Sequence, residues 1–200
     1  MTIDAPRPLP LGLSCPLVLV GLMGAGKTSV GRRLADTLGV SFRDSDSEIE
    51  AAAGMEISEI FSVHGEAYFR AGERRVIARL LEEETCVLAT GGGVFAQQEN
   101  RALIRDRAVS VWIDADLDTL WSRVKDRDTR PLLRAPDPRA VLAELLAQRR
   151  PAYAEADVRV ESPAGITQDQ MVRQILSAVH ARDRAQPGTR PVLYKVARHG

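Results

Sequence analysis

Lys27 and Thr28 close the run Gly21-Leu-Met-Gly-Ala-Gly-Lys-Thr28, a glycine-rich turn that ends in a cation and a hydroxyl. The spacing is G-x-x-x-x-G-K-[ST]. In that pattern the turn's N–H groups wrap an anion, the lysine reaches the β- and γ-phosphates of a nucleotide, and the hydroxyl ligates Mg²⁺. Gly24, Ala25, Gly26, Lys27, Thr28 and Ser29 are therefore the expected nucleotide-binding residues. Two elements must hold them. Residues 17–20 are apolar and partly β-branched, as in a strand buried on both faces of a parallel sheet. Residues 28–38 place Val30, Leu34, Ala35 and Leu38 at helical spacing, with Gly39 where a C-terminal cap belongs.

Other candidates follow along the chain. Asp44 and Asp46 come after a short strand at 40–42 and, in a parallel sheet, would lie beside the phosphate loop. The same residues suit helix capping before Ile49, which does not exclude catalysis. A buried strand at 86–89 runs into Gly91-Gly92-Gly93. A turn needs fewer glycines than that, and a triplet permits close approach of a ligand. Arg70, among Glu66, Glu73 and Arg74, reads by spacing as a surface ion pair. His64 reads as a surface or capping residue. The stretch Arg123-Val-Lys-Asp-Arg-Asp-Thr-Arg130-Pro131 is basic and broken by proline. Such a segment can close over a nucleotide, or it is an ordinary solvated loop. Gln148-Arg149-Arg150-Pro151 ends the helix begun by Asp137-Pro138.

The intervening pattern alternates. Helical periodicity over 47–83 breaks at Gly54 and at His64-Gly65, and a helix at 97–105 precedes a strand at 108–113. Val141, Leu142, Leu145 and Leu146 form an inward stripe, and a strand at 157–160 leads to a helix over 166–179. Strands alternating with helices predict an α/β fold with a parallel sheet. Right-handed crossovers then gather the phosphate loop, the Asp44–Asp46 corner and the glycine triplet at the strands' carboxyl ends. At 200 residues the chain is expected to be one domain over 16–181, with a lid at about 123–136, a loose leader at 1–15 carrying Pro6, Pro8 and Pro10, and a flexible tail at 182–200. Lys+Arg and Asp+Glu are 27 each, so net charge points to neither nucleic acid nor a membrane surface. Cys15 and Cys86 are far apart and suit reduced thiols. No run approaches the roughly 20 apolar residues of a membrane span, so a soluble cytoplasmic protein is expected.

The segments 21–28, Asp-Ser-Asp at 44–46, Glu-Ala-Tyr-Phe-Arg at 66–70, the glycines at 91–93 and Arg-Pro-Leu-Leu at 130–133 resemble, in this order and at these separations, the shikimate kinase family. The resemblance runs from about residue 17 to 180. It implies a three-layer P-loop NTPase fold with a five-stranded parallel sheet, helices on both faces and a mobile lid. It also implies transfer of the ATP γ-phosphate to the 3-hydroxyl of shikimate, in aromatic amino-acid synthesis, by a monomer. On that resemblance Lys27, Asp46 and Arg130 are the catalytic residues, with Asp46 holding the reacting hydroxyl. Thr28 and Asp44 form the Mg²⁺ site. Arg70 and Arg149 grip the shikimate carboxylate, and Gly91, Gly92 and Gly93 line the substrate with backbone. Arg130 reaches the phosphates from the lid, and Arg123 stacks on adenine. Arg150 stands where many relatives carry another residue. Two rivals are another small-molecule kinase of this fold and a nucleotide-binding regulatory protein without catalysis. The glycine triplet and the Arg70/Arg149 pair disfavour the first, and Lys27, Thr28, Asp44 and Asp46 the second.

Overall fold

A computed structural model of the chain describes residues 11–125, 135–186 and 191–195. Its centre is β2 (Leu17–Val20), whose four residues have no exposed surface. Burial on both faces explains why this strand is uninterruptedly apolar. It pairs in parallel with β4 (Cys86–Ala89) on one side and β5 (Val109–Asp114) on the other. β3 (Ser41–Asp44) joins β4 and β6 (Val158–Glu161) joins β5, giving a five-stranded parallel sheet in the order β3-β4-β2-β5-β6. The chain first builds outward through β3 and then crosses back past β2 to β5, so β2 ends at the switch point, where a crevice opens at the strands' carboxyl ends.

The helices are α1 (Lys27–Leu38), α2 (Ser45–Ala53), α3 (Ile57–Glu83), α4 (Gln98–Arg107), α5 (Leu117–Val124), α6 (Pro138–Tyr153) and α7 (Gln168–Ala185). α1 buries Val30, Leu34, Ala35 and Leu38, the stripe read from spacing, and ends at Gly39 with a left-handed backbone. α3 is bent where Gly65 takes φ 80° and ψ 174°, a non-helical geometry inside the long helix. That is the break expected at His64-Gly65, and it aims the half carrying Arg70 separately from the half carrying Ile60. His64 is exposed and stacks on Tyr68 at 4.5 Å. Neither Cys15 nor Cys86 is in a disulfide, and burial pushes the Cys86 thiol up to about 11. No helix among the described residues is long and apolar enough to cross a membrane.

Within the expected loose leader and flexible tail, residues 11–13 and 193–195 form strands. β1 (Leu11–Leu13) pairs antiparallel with β7 (Leu193–Lys195), and α7 extends to Ala185. Asp183, on the last turn of α7, accepts from the backbone N–H of Val192 at 2.8 Å and of Leu193 at 3.1 Å. Leu13, Val192 and Leu193 are buried against the core. Burial of these three side chains and the satisfied carboxylate hold the two segments together.

Candidate active site

Gly26, at φ 96°, turns the chain from the phosphate loop into α1 and leaves the helix's first N–H groups facing the crevice. Lys27, 9% exposed, folds back so that Nζ donates to the carbonyls of Gly21 at 2.8 Å and Leu22 at 3.0 Å. The ammonium is thus held across the loop rather than extended into solvent. Beside it a cavity of about 570 Å³ is lined by residues 24–30, Arg123, Ser162, Ile166 and Met171, a size suited to a small ligand. Arg123 spans its wall, donating to Gly24 O at 3.2 Å, Ser162 Oγ at 3.1 Å and Pro163 O at 3.3 Å. Burial lowers its pKa from the ordinary arginine value.

Asp44 ends β3, and each of its carboxylate oxygens has a partner. Its Oδ1 caps α2 by accepting from the N–H of Asp46 at 3.1 Å, and its Oδ2 accepts from Thr28 Oγ1 at 2.9 Å. Two hard oxygen donors thereby meet at the start of α1. Among the described residues there is no group of three or more His, Cys, Asp or Glu able to hold a metal ion.

The glycine triplet meets three different side chains. A Cβ on Gly91 would fall on the Asp46 carboxylate, one on Gly92 would sit 3.2 Å from Arg149 Nη1, and one on Gly93 would sit 2.9 Å from Arg70 Nη1. Any side chain there would occupy the space of a charged group. Ser45, fully buried, fixes the turn by accepting from Gly91 N–H at 2.9 Å. Asp46, Arg70, Arg149 and the triplet, separated by as many as 103 residues, therefore converge on one wall.

Arg70 keeps the ion pairs its spacing suggested, with Glu66 at 3.2 Å and Glu73 at 3.1 Å, while its guanidinium lies against Gly93. Glu73, 2% exposed, offers both carboxylate oxygens to Arg70 Nη1. Burial raises its pKa above the ordinary carboxylate range; Arg70 and Arg149 pull it down, and Asp46 pushes it further up. Arg150 points elsewhere, donating to Asp114 Oδ2 at 3.0 Å. Arg130 and most of the lid, 126–134, lie outside the described residues.

Three residues of the site were not singled out from sequence: Ser45, Glu73 and Tyr153. Tyr153 donates its hydroxyl to Gly92 O at 2.6 Å. Glu73 stands three residues after Arg70 and Tyr153 four after Arg149, the spacings at which helical side chains touch.

A profile of the family described as Shikimate kinase matches residues 23–180. The chain is 63% identical over 146 residues to the shikimate kinase of Caulobacter vibrioides, covering 73% of each. It is 56% identical over 166 residues to that of Ruegeria pomeroyi, covering 83% of this chain and 85% of the relative. Among solved structures, shikimate kinase from Acinetobacter baumannii in complex with shikimate matches with a TM-score of 0.79 and 39% identity, over 84% of this chain and 93% of that one.

Proposed function

The chain belongs to the shikimate kinase family and is an ATP-dependent kinase, and we propose that its cleft phosphorylates the 3-hydroxyl of shikimate, giving shikimate 3-phosphate and ADP. The observation that carries this reading is the convergence of Asp46, Arg149 and Arg70 on three successive glycines next to the Thr28–Asp44 contact. One wall thus offers a carboxylate for a hydroxyl and two guanidiniums for an anion, beside a phosphate loop.

Each group has a defined task. Shikimate is a small polyhydroxylated carboxylate, and planar guanidiniums form charge-assisted forks with it worth about 1.5–3 kcal/mol per hydrogen bond. Arg70 and Arg149 supply them. Glu73 fixes the Arg70 fork, and the glycine backbone lets the ring approach closely. Asp46 orients the 3-hydroxyl toward the phosphate and accepts its proton late, because a loose transition state asks for placement more than for a strong base. Lys27 neutralises charge growing on the transferred phosphoryl group. Arg130, by the family resemblance, adds to that neutralisation from the lid. Arg123 borders the adenine end of the cavity. The Thr28 hydroxyl and Asp44 carboxylate fit Mg²⁺, which takes few protein ligands and completes its shell with water and substrate phosphates. Thr28 would hold it directly and Asp44 through water, and the ion would supply further charge neutralisation at the phosphates.

We take the enzyme to be a cytoplasmic monomer; neither cysteine is in a disulfide, which suits a reducing compartment. The test is ADP release from ATP that depends on both Mg²⁺ and shikimate, run beside gluconate and a panel of nucleoside monophosphates. Turnover with shikimate alone is expected. Preference for any other acceptor, or ATP binding without turnover on any, would sink the reading.

A further inference from the structure

The paired arginines at the end of α6 have different surroundings. Arg150 donates to Asp114 Oδ2 at 3.0 Å and lies over the Trp112 ring, 5.3 Å from its centroid. Arg159 of β6 donates from Nε to the same oxygen at 2.9 Å and lies over the same ring at 5.2 Å. Trp112 and Asp114 belong to β5 and are 4% and 6% exposed. One carboxylate and one indole therefore fasten the end of α6 and the strand β6 to the centre of the sheet.

With Arg150 turned to that clamp, its neighbour turns to the glycines. Arg149 Nη1 lies 3.2 Å from where a Gly92 Cβ would stand. Tyr153, 1% exposed, packs 6.1 Å from Trp112 and donates to Gly92 O at 2.6 Å. The hydroxyl has one proton, and the Gly92 carbonyl takes it. Burial pushes the Tyr153 phenol up to about 12, against the pull of Arg149, so that donor stays in place throughout the neutral range.

We propose that Tyr153 is a positioning residue for the acceptor's carboxylate: its hydrogen bond to the Gly92 carbonyl fixes the turn against which Arg149 lies, and so the spacing of the Arg149 fork from the glycines, and Arg150 secures the arrangement by clamping α6 to Asp114 and Trp112. This rests on the reading of Arg149 as a partner of the shikimate carboxylate. A fork ordered before binding loses less freedom on meeting its ligand, so the effect falls on acceptor binding rather than on phosphate transfer.

Tyr153→Phe keeps the ring against Trp112 and removes only the hydroxyl. Steady-state kinetics with ATP, shikimate and shikimate methyl ester should show KM for shikimate rising about fivefold, the worth of one hydrogen bond, with kcat and KM for ATP within about twofold. The preference for the free acid over the ester should fall by the same factor, which general loosening of the fold would not produce. Arg150→Met, which keeps the stem over Trp112 but drops the ion pair, should shift the same ratio about two- to threefold, and Arg150→Lys should restore it. An unchanged acid-to-ester preference in Tyr153→Phe, or an equal rise in both KM values, overturns the proposal. Arg149→Lys is run beside it. If that variant leaves KM for shikimate unchanged, the reading of Arg149 has failed; if it raises KM and Tyr153→Phe does not, the positioning role has failed. Should Tyr153→Phe not fold, the Arg150 pair decides by the same ratio.

Discussion

The phosphate end of the cleft comes from one uninterrupted run, β2 through the first turn of α1, whereas the acceptor end needs Asp46 from α2, Arg70 and Glu73 from α3, the turn after β4, and Arg149 and Tyr153 from α6. Local backbone geometry is enough to make the first: a strand, glycines that accept the turn, and a helix N-terminus whose N–H groups have no intrahelical partner. The second exists only when the tertiary fold is complete. Its parts are held by side-chain hydrogen bonds, two of them from other elements, Ser45 on Gly91 and Tyr153 on Gly92, and one from within α3, Glu73 on Arg70. Damage to the first should therefore change how the nucleotide is handled, and damage to the second should change the acceptor's KM or the final placement of its hydroxyl.

The strongest way to break that separation is at the reacting groups themselves. Lys27→Ala should lower kcat by roughly a thousandfold and raise KM for ATP with it, because the loop loses both its charge and the ammonium that ties its end back to the Gly21 and Leu22 carbonyls. Asp46→Asn should lower kcat by a similar factor of about a thousand and leave ATP affinity within about twofold. Calorimetric titration with a non-hydrolysable ATP analogue distinguishes the two. If Asp46→Asn turned over at near-normal rate, Asp46 would have no role in holding the hydroxyl, and the acceptor wall would be only a binding surface.

The same contrast explains what could be read from the chain beforehand. β2, the phosphate loop and α1 were legible because their spacing, periodicity and cap are consecutive, and the breaks at Gly54 and Gly65 announced themselves by residue type. Asp44 was legible as either cap or site residue; it caps α2 and also accepts from Thr28. By contrast, Ser45 and Tyr153 carry ordinary residue types whose place in the site depends on which element passes opposite, and Glu73, legible by spacing as an ion-pair partner of Arg70, joins the site only because α3 brings Arg70 to Gly93. Choosing between Arg149 and Arg150 was of the same kind: consecutive helical residues point about 100° apart, and the partners that hold Arg150, Asp114 and Trp112, lie on a strand 36 residues upstream at its nearer member. The β1–β7 pair escaped for another reason. Two strands of three residues, among prolines and at opposite ends of the chain, have no period to detect, and only burial of Leu13, Val192 and Leu193 selects them.

A smaller perturbation tests whether the glycine triplet keeps space for charges rather than merely turning the chain. Gly91→Ala drives a methyl into Asp46, a short side chain fixed on the first turn of α2, so kcat/KM for shikimate should fall about a hundredfold. Gly93→Ala meets only the far end of the long Arg70 side chain, which can shift, so KM should rise about fivefold with kcat nearly unchanged. Neither glycine has the positive φ that would add backbone strain. Comparable losses in both variants, measured by steady-state kinetics, would mean that the turn itself is disturbed and that the individual side chains are not what the glycines accommodate.

The smallest expected effect lies at Glu73, and it separates binding from stability. Burial raises the pKa of this carboxylate despite Arg70, so the fold favours its protonated form. The sign follows from linkage: a carboxyl whose folded pKa is raised contributes stability that is present below its unfolded pKa and lost as pH climbs through the raised value. Above that raised value the charged Glu73 is a cost to the fold, and it is the charged form that offers Arg70 two oxygens. Glu73→Gln removes the charge and keeps the shape. Denaturant titrations should show the variant gaining on the wild type as pH rises from the acid range through the raised value of Glu73, with no loss of stability at neutral pH. KM for shikimate should meanwhile rise about three- to fivefold at neutral pH, since an amide offers Arg70 one weaker acceptor in place of two charged oxygens. As pH falls and the wild-type carboxyl protonates, the two KM values should converge. Parallel KM profiles would leave Arg70 independent of Glu73, and a variant less stable than wild type at neutral pH would mean that the ion pair outweighs the burial of its carboxylate.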